Sequence, residues 1–452
     1  MLGGDPGRVK KRKLVRWRRL ISTVIVLAVL PVGSDAESPE EPLSVRTAAE
    51  EALRANPDLR AAYEVIEIAR GRLLQAGLWP NPELVFSGRD DFAFQNEGER
   101  SLDIGFAQRF PVAGRLARAR DVARVDIAIA LTEVREFERT LISDVQRSVV
   151  TLLTLELAVA EQNRVIAAAR RLARASSARL RVAEVSEADV NLLEIELTRF
   201  EQDLRLLELD RHTEAVRLNR LLNRAPETPV EVLGDLETPL FEPRPATQLI
   251  KPALRRRPDL QRLRFERDRS SAEVQLARAE AWEDWTIDVD YSVDKQVFRD
   301  EPSADPIGTK RDSFLGVGIS VPLPLFNRNQ GRIAAARADG RRAAAQLIGL
   351  ERTVEAEVEI AVRRVEELAR VVVEYRERIV PGATRNVTLL EKGYRQGLIG
   401  VSVLVQGEQQ YAHVALRYAR VIGDLRQAEV DLESAAAASP LLKHDFSSGV
   451  KP

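Results

Sequence analysis

From Arg115 to Glu184 the chain contains no proline and no glycine. Nothing in that stretch interrupts a helix. If helical throughout it would run about 105 Å at about 1.5 Å per residue. An element of that length is longer than an ordinary domain is wide, so other helices must run alongside it. Phe137, Leu141, Val145, Leu152, Leu155 and Val159 supply an apolar stripe at helical spacing. The composition agrees: charged residues make up 30% and aromatic residues only 5%, which favours long solvated helices over a thick globular core.

The chain also repeats itself. "ALRANPDL" (52–59) returns as "ALRRRPDL" (253–260), with six of eight residues identical at an offset of 201. "AQRFPVAGR" (107–115) has a counterpart in "VPLPLFNRNQGR" (321–332), and "EVSEADVNLLE" (184–194) aligns with "LIGVSVLVQGE" (398–408) at an offset of 214. Each half reads as helix, two strands, a very long helix, a tight turn and a return helix. The first repeat spans 37–222, with strands about 83–89 and 102–110 and a long helix about 115–184. A proline-rich connector follows at 223–245. The second repeat spans 246–434, with strands about 285–293 and 314–322 and a long helix about 332–396. Ser44 is an expected N-cap. Pro57 is expected to break the first helix early, and Pro381-Gly382 to kink the second long helix. In the second repeat Val354, Val358, Ala361, Val365, Leu368 and Val372 step by 4,3,4,3,4, as do Val414, Tyr418, Val421, Leu425, Ala428 and Leu432. These are coiled-coil stripes. Residues 435–452 read as a loosely ordered tail.

The first 36 residues read as an address. A basic region from Lys10 to Arg19 precedes an apolar run, Leu20–Leu30, too short to span a bilayer as a helix. Ser34-Asp35-Ala36 resembles a cleavage site, so residues 1–36 are expected to be a cleaved signal peptide. Eight basic and two acidic residues lie in this leader while the whole chain carries −1, so the remainder is acidic. That balance gives no reason to expect nucleic acid. There is no cysteine, which excludes disulfides, thiol nucleophiles and thiolate metal sites.

The strands carry the functional signal. Trp285, Ile287, Val289, Tyr291 and Val293 alternate with Thr286, Asp288, Asp290 and Ser292. Leu102, Ile104 and Phe106 alternate with Asp103, Gly105 and Ala107, and Leu315, Val317 and Ile319 with Gly316, Gly318 and Ser320. One greasy and one charged face suits a transmembrane barrel wall with lipid outside and water inside. Alternation alone fits a soluble sheet with one wet face equally well. An export signal and a direct joint to long helices favour the barrel. Four strands cannot close one, so several chains are required, and three would supply twelve strands. The loops at 90–100 and 294–312 would lie outside. The joints hold Pro111 and Gly114 in the first repeat, and Pro322, Pro324, Asn327, Asn329 and Gly331 in the second. Prolines end the strands there because they cannot donate to a central ladder.

With these pieces in order, the whole mature chain resembles the TolC-type outer-membrane efflux proteins, and within them the branch serving cobalt-zinc-cadmium pumps. "GVGISVPLPLFNRNQGRIAAARA" (316–338), "AQRFPVAGRLARARDVA" (107–123) and "GYRQGLIGVSVLVQGEQ" (393–409) carry the resemblance. It implies a mainly helical fold with a small β part. Three protomers would make a twelve-stranded transmembrane barrel continued by a long periplasmic helical barrel. It implies a homotrimer in the outer membrane of a Gram-negative bacterium, in contact with outer-membrane lipid. The expected partners are a periplasmic adaptor (membrane fusion) protein and an inner-membrane pump, proton-driven and of the resistance-nodulation-division type. The function implied is a passive conduit for export, with heavy-metal cations as cargo. The tips that dock the adaptor and close the tube would be Val185, Ser186, Glu187 and Asp189 in the first repeat. In the second they would be Tyr394, Gly397, Leu398, Ile399, Gly400, Val401 and Val403. Relatives often place acids just after the second turn; here Val403 and Gln406 stand there. Ile399 replaces a common basic residue, and Ala183 the usual turn glycine. The expected closure is therefore apolar, around Ile399, Val401 and Val403, with Asp189 and Glu187 supplying charge.

Catalysis is not expected. His212, His413 and His444 are scattered, no glycine-rich phosphate loop follows a buried strand, and no soft-metal ligand cluster exists. No enzyme activity, cofactor or bound metal is expected. Two other readings remain: an outer-membrane channel for drugs or for secreted polypeptides, and a soluble periplasmic coiled-coil scaffold.

Overall fold

The computed structural model describes residues 42–91, 98–240, 244–298 and 308–442. The expected leader, the tips of both strand loops and most of the expected tail lie outside these residues. Helix α1 (Val45–Ala55) opens with a capping box in which Ser44 and Thr47 satisfy each other's backbone donors. It stops at Asn56, because Pro57 bars the helical conformation in the residue before it. Asn56 then caps α2 (Pro57–Ala76), accepting from the Leu59 amide at 3.0 Å and donating to the Leu221 carbonyl at 2.9 Å. The second repeat breaks at the equivalent place, between α5 (Ala246–Arg256) and α6 (Pro258–Ala279). There the buried Arg257 holds Asp259 and Glu357.

Four strands form one antiparallel sheet in the order β1 (Glu83–Asp90), β2 (Arg100–Phe110), β3 (Trp285–Phe298), β4 (Gly308–Ser320). The β3–β4 pair runs further than the alternation suggested. Asp294 faces Asp312 and Phe298 faces Gly308, so part of the expected 294–312 loop is ladder. Backbone pairing needs no apolar side chain, and Lys310 offsets the facing acids by pairing with Asp312 at 3.0 Å. At its other end β4 stops at Ser320, short of the expected Pro322.

Helix α3 (Arg115–Leu180) is unbroken. Its first half lies between α2 and α6, and its second half between α4 (Glu187–Leu222) and α9 (Val401–Ala435). The expected second long helix is in three pieces: α7 (Gln330–Glu374), a π-turn at Tyr375–Ile379, and α8 (Val380–Arg395). Pro381 explains the break. Its ring would strike the carbonyl one turn back, and it donates no hydrogen bond there; a wider π-turn gives the room. Near the sheet the helices therefore lie in the order α2, α3, α6, α7, and away from it α4, α3, α9, α8. The coiled-coil stripes meet in one core. Val145, Val149 and Leu152 of α3 share it with Val354, Val358 and Val365 of α7 and with Ile422, Leu425 and Leu432 of α9.

Both distal turns end their helices in the same way. The amides of Leu398 and Gly397 return to the carbonyls of Gly393 and Tyr394, and those of Glu184 and Ala183 return to Arg179 and Leu180. Each is a Schellman motif, which needs a left-handed residue at its centre. Gly397 sits there at φ 74 and Ala183 at φ 59. Where α9 crosses α3, a Cβ on Gly423 would stand 2.6 Å from Thr154 Cγ2 and 3.0 Å from its Cβ, whereas a Cβ on Gly382 meets nothing within 4 Å.

Thermal melting of the purified protein is expected to separate three substitutions. Ala183→Gly relieves the left-handed strain and stabilises by about 1 kcal/mol. Gly423→Val pushes α9 off α3 and costs about 1–3 kcal/mol. Gly382→Ala gains about 0.5–1 kcal/mol from helix propensity alone.

Candidate functional site: wall, joint and tip

Register decides what each face of the sheet presents. Phe106 sits opposite Leu84 and Val289, Ile104 opposite Phe86 and Tyr291, and Leu102 opposite Val293. Across the next pair, Ile287 meets Ile319, Val289 meets Val317, and Tyr291 meets Leu315. Side chains paired directly across a ladder share a face. All ten residues expected to face lipid (Leu102, Ile104, Phe106, Trp285, Ile287, Val289, Tyr291, Leu315, Val317 and Ile319) therefore lie on one side, and all are exposed. Leu84 and Phe86 of β1 join them. The β1 stretch "ELVFSG" does not alternate cleanly, so only the register places its residues.

The opposite face is acidic. Asp103 accepts hydrogen bonds from Ser87 at 2.9 Å and Ser101 at 3.2 Å. Asp288 and Asp290 lie against the neighbouring strand, over Gly318 and Gly316. A Cβ on Gly318 would stand 2.5 Å from Asp288 Oδ2, and one on Gly316 would stand 2.8 Å from Asp290 Cγ. Among the described residues, β1 and β4 each pair on one side only.

The two joints solve one problem with different residues. Gly114 precedes α3 at φ 71, behind Ala113 at φ 54, and Asn329 precedes α7 at φ 55. Asparagine is among the few residues besides glycine that enter this region readily. Asn329 also donates to the Ala277 carbonyl at 3.0 Å, tying the joint to the end of α6, and its amide donates to Asn327 Oδ1 at 3.1 Å. In the first repeat Arg115 reaches Asp284 at 2.7 Å, so the joint is tied to the residue just before β3. Pro111 follows β2 directly, and Pro322 and Pro324 follow β4. Gly331 lies inside α7 with open space where a Cβ would go, and nothing in the structure requires glycine there.

At the far end the two turns share one apolar cluster: Ala173, Leu193, Tyr394, Val401, Leu404 and Val405. The expected tip residues divide between inside and outside. Tyr394 and Val401 are buried in this cluster. The Tyr394 hydroxyl is 2.8 Å from Ser176 Oγ, and the Arg179 guanidinium stands 5.2 Å over its ring. Ile399 is half-buried and leans on Gly393. Leu398 is 74% and Val403 43% exposed, so these two offer apolar surface outward. Asp189 is occupied locally, because Ser186 and Asp189 form the capping box of α4. Glu187 is exposed in the first turn of α4, Val185 is half-buried in the turn, and Gly400 caps α9 with no side-chain contribution.

Reading the sequence did not single out Ser176, Arg179 or Glu408. Glu408 is 6% exposed. Burial, and then the charge of Glu391 on α8, push its carboxyl up to about 7, with Arg171 on α3 opposing. The adjacent Gly407 is the available signal: a Cβ there would overlap Leu390, so α8 and α9 are in close contact beside Glu408.

Among the described residues no helix is long and apolar enough to cross a membrane, and no group of three or more His, Cys, Asp or Glu is placed to hold a metal ion. Comparison with known proteins gives consistent results. The model of the outer membrane efflux protein family matches residues 249–438. The cobalt-zinc-cadmium resistance protein CzcC of Cupriavidus metallidurans is 22% identical over 400 residues, covering 87% of this chain and 89% of that protein. Among solved structures, CusC superposes with a TM-score of 0.71 at 15% identity, over 87% of this chain and 91% of its own. The open state of the MtrE outer membrane channel of Neisseria gonorrhoeae gives 0.67 at 17% identity, over 89% and 91%. The outer membrane efflux family model thus lies across the second repeat, and the fold shared with these solved channels runs through both.

Proposed function

We propose that three copies of this chain form the outer-membrane channel of a tripartite efflux pump that exports heavy-metal cations. The observation that carries this reading is the sheet: a continuous apolar face, an acidic reverse face, and two edges with unmet backbone groups. At membrane depth such edges must be paired. Pairing β4 of one copy with β1 of the next leaves none open. Two copies would give about eight strands, a barrel whose interior side chains fill; three give about twelve and leave a lumen. The helical layers end in the same way. Their outer members expose Ile68 and Leu74 on α2, Ile348 on α7, Ile195 and Leu206 on α4, and Leu389 on α8. Closing the sheet brings α7 beside the next copy's α2, and α8 beside its α4, which covers this surface.

In this reading the acidic faces line the lumen and the turns point into the periplasm toward an adaptor and a pump. Residues 1–36 direct export and are removed, and the domain boundaries follow the two repeats. The likeness to CzcC supports metal cations as cargo. Among the described residues no acidic or histidine cluster is placed to hold a metal ion, and in this reading selection rests with the partners. At the tip, Leu398 and Val403 are the apolar groups free to meet across the three-fold axis. Val401 holds each protomer's own cluster together instead.

Deletion of the gene should sensitise cells to cobalt, zinc or cadmium, and the protein should fractionate with the outer membrane. Recovery only in the soluble periplasm would refute the channel. Sensitivity to drugs without metals would reassign the cargo. In planar bilayers, Leu398→Asp and Val403→Asp should raise the conductance of the resting channel while the trimer stays intact. Val401→Asp should instead lower its melting temperature, by burying an unpaired charge.

Glu408 makes a separate, pH-dependent prediction. Its folded-state value of about 7 lies above the ordinary 4.5. The fold therefore favours the protonated form. Stability is highest below the ordinary value, falls as pH rises through this window, and stays low above about 7. Glu408→Gln should flatten that dependence in thermal melts and leave the protein more stable at alkaline pH.

A further inference from the structure

The outward row of β4 does not end where its ladder ends. The last β3–β4 pair is Thr286 with Ser320. Leu315, Val317 and Ile319 are nevertheless followed, in the same alternation, by Val321, Leu323 and Leu325, all exposed, with Pro322 and Pro324 half-buried between them. Phe326 closes the series at 91% exposure. Soluble surfaces scatter such residues singly. Here they form a contiguous strip that extends the apolar face of the sheet toward the helices.

We propose that Val321–Phe326 is a foot that lies in the periplasmic leaflet of the outer membrane, with phospholipid as its partner. The inference rests on reading the sheet as a barrel wall, and it extends lipid contact past the last ladder bond. Three observations support it. First, unpaired amides are costly at this depth, and two of the six positions, Pro322 and Pro324, have no amide, while the Leu325 amide donates to the Leu323 carbonyl at 2.8 Å. Second, the same margin holds further aromatic residues. Trp79 packs edge-on against Phe110 at 5.9 Å while remaining 59% exposed, and Trp282 and Trp285 are exposed nearby. Tryptophan favours the headgroup level, where one end of the ring is wet. Third, the exposed Arg328 stands two residues beyond Phe326, suitably placed for lipid phosphate. A second copy fits less well as the occupant. Prolines cannot extend the ladder to a neighbouring strand, and the strip points with the sheet's outer face and not along its edge.

The test uses the absence of native cysteine. Val317→Cys, Leu323→Cys, Leu325→Cys, Phe326→Cys and Glu227→Cys would each be labelled with an environment-sensitive fluorophore. The full-length variants would then be reconstituted in phosphatidylethanolamine–phosphatidylglycerol vesicles carrying a lipid-borne quencher, placed either near the headgroup or deep in the acyl chain. The expected result is a blue-shifted emission at 323, 325 and 326 with loss of intensity to the shallow quencher. Label at 317 should respond to the deep quencher, and label at 227, in the connector, to neither. Quenching at 317 without quenching at 323–326 would overturn the foot and leave the barrel standing. In that case, disulfide cross-linking between copies through unlabelled Phe326→Cys would identify a neighbouring protomer as the occupant. No quenching at 317 would remove the barrel reading, and the foot with it.

Discussion

The backbone groups on the outer edges of β1 and β4 constrain everything else. A strand at membrane depth cannot give its donors and acceptors to water, so each edge must find another backbone. Among the described residues there are four strands and no internal partner for the outermost two. In the proposed channel, repetition of the chain itself meets the requirement at the smallest copy number that leaves a bore. The helical layers inherit the constraint, because each strand pair feeds helices that end on the same open sides. The apolar residues of α2, α4, α7 and α8 that look misplaced on one protomer are the helical counterpart of the unpaired strands.

The two halves share a plan but reach it with different chemistry. A left-handed residue is needed where each joint enters its long helix: the first half uses glycine, and the second uses an asparagine that also ties down α6. A left-handed residue is needed again at each distal turn. There the second half uses glycine, and the first accepts strain at Ala183. At the early helix break a neutral Asn56 in one half corresponds to a buried, doubly paired Arg257 in the other. The long helices differ most. The first is continuous, while the second contains a π-turn ahead of Pro381. Backbone geometry has thus been kept where side chains have diverged.

Much of the fold was legible in the sequence, because periodicity and punctuation are local. The proline- and glycine-free run became α3, the alternating stretches became strands, and the stepped valines and leucines became the common core. What was not legible depends on neighbours distant in sequence. Leu84 and Phe86 are placed on the outer face only by their pairing with β2. The extra length of β3 and β4 comes from backbone pairing that begins with charged residues, Asp294 with Asp312 and Lys295 with Arg311, which carry no alternation signal. Tyr394 and Val401 sit in the turn region by sequence but are buried by helices from both repeats. Glu408 is desolvated where α9 packs against α8, with Arg171 of α3 close by. The prolines that follow β2 and β4 could be read in the sequence; the division of the tip into inward and outward groups could not.

One detail of the acidic face bears on the width of the bore. Asp288 and Asp290 do not reach away from the sheet. They lie flat across the strand beside them, in the space that Gly316 and Gly318 leave open. In a closed barrel, carboxylates held this way coat the inner surface with negative charge while taking up little of its radius. The backbone, and not the side chains, then sets the clearance for whatever passes. Larger residues at the two glycines would turn the same acids toward the axis, converting a wide, cation-tolerant passage into a constriction without adding a charge.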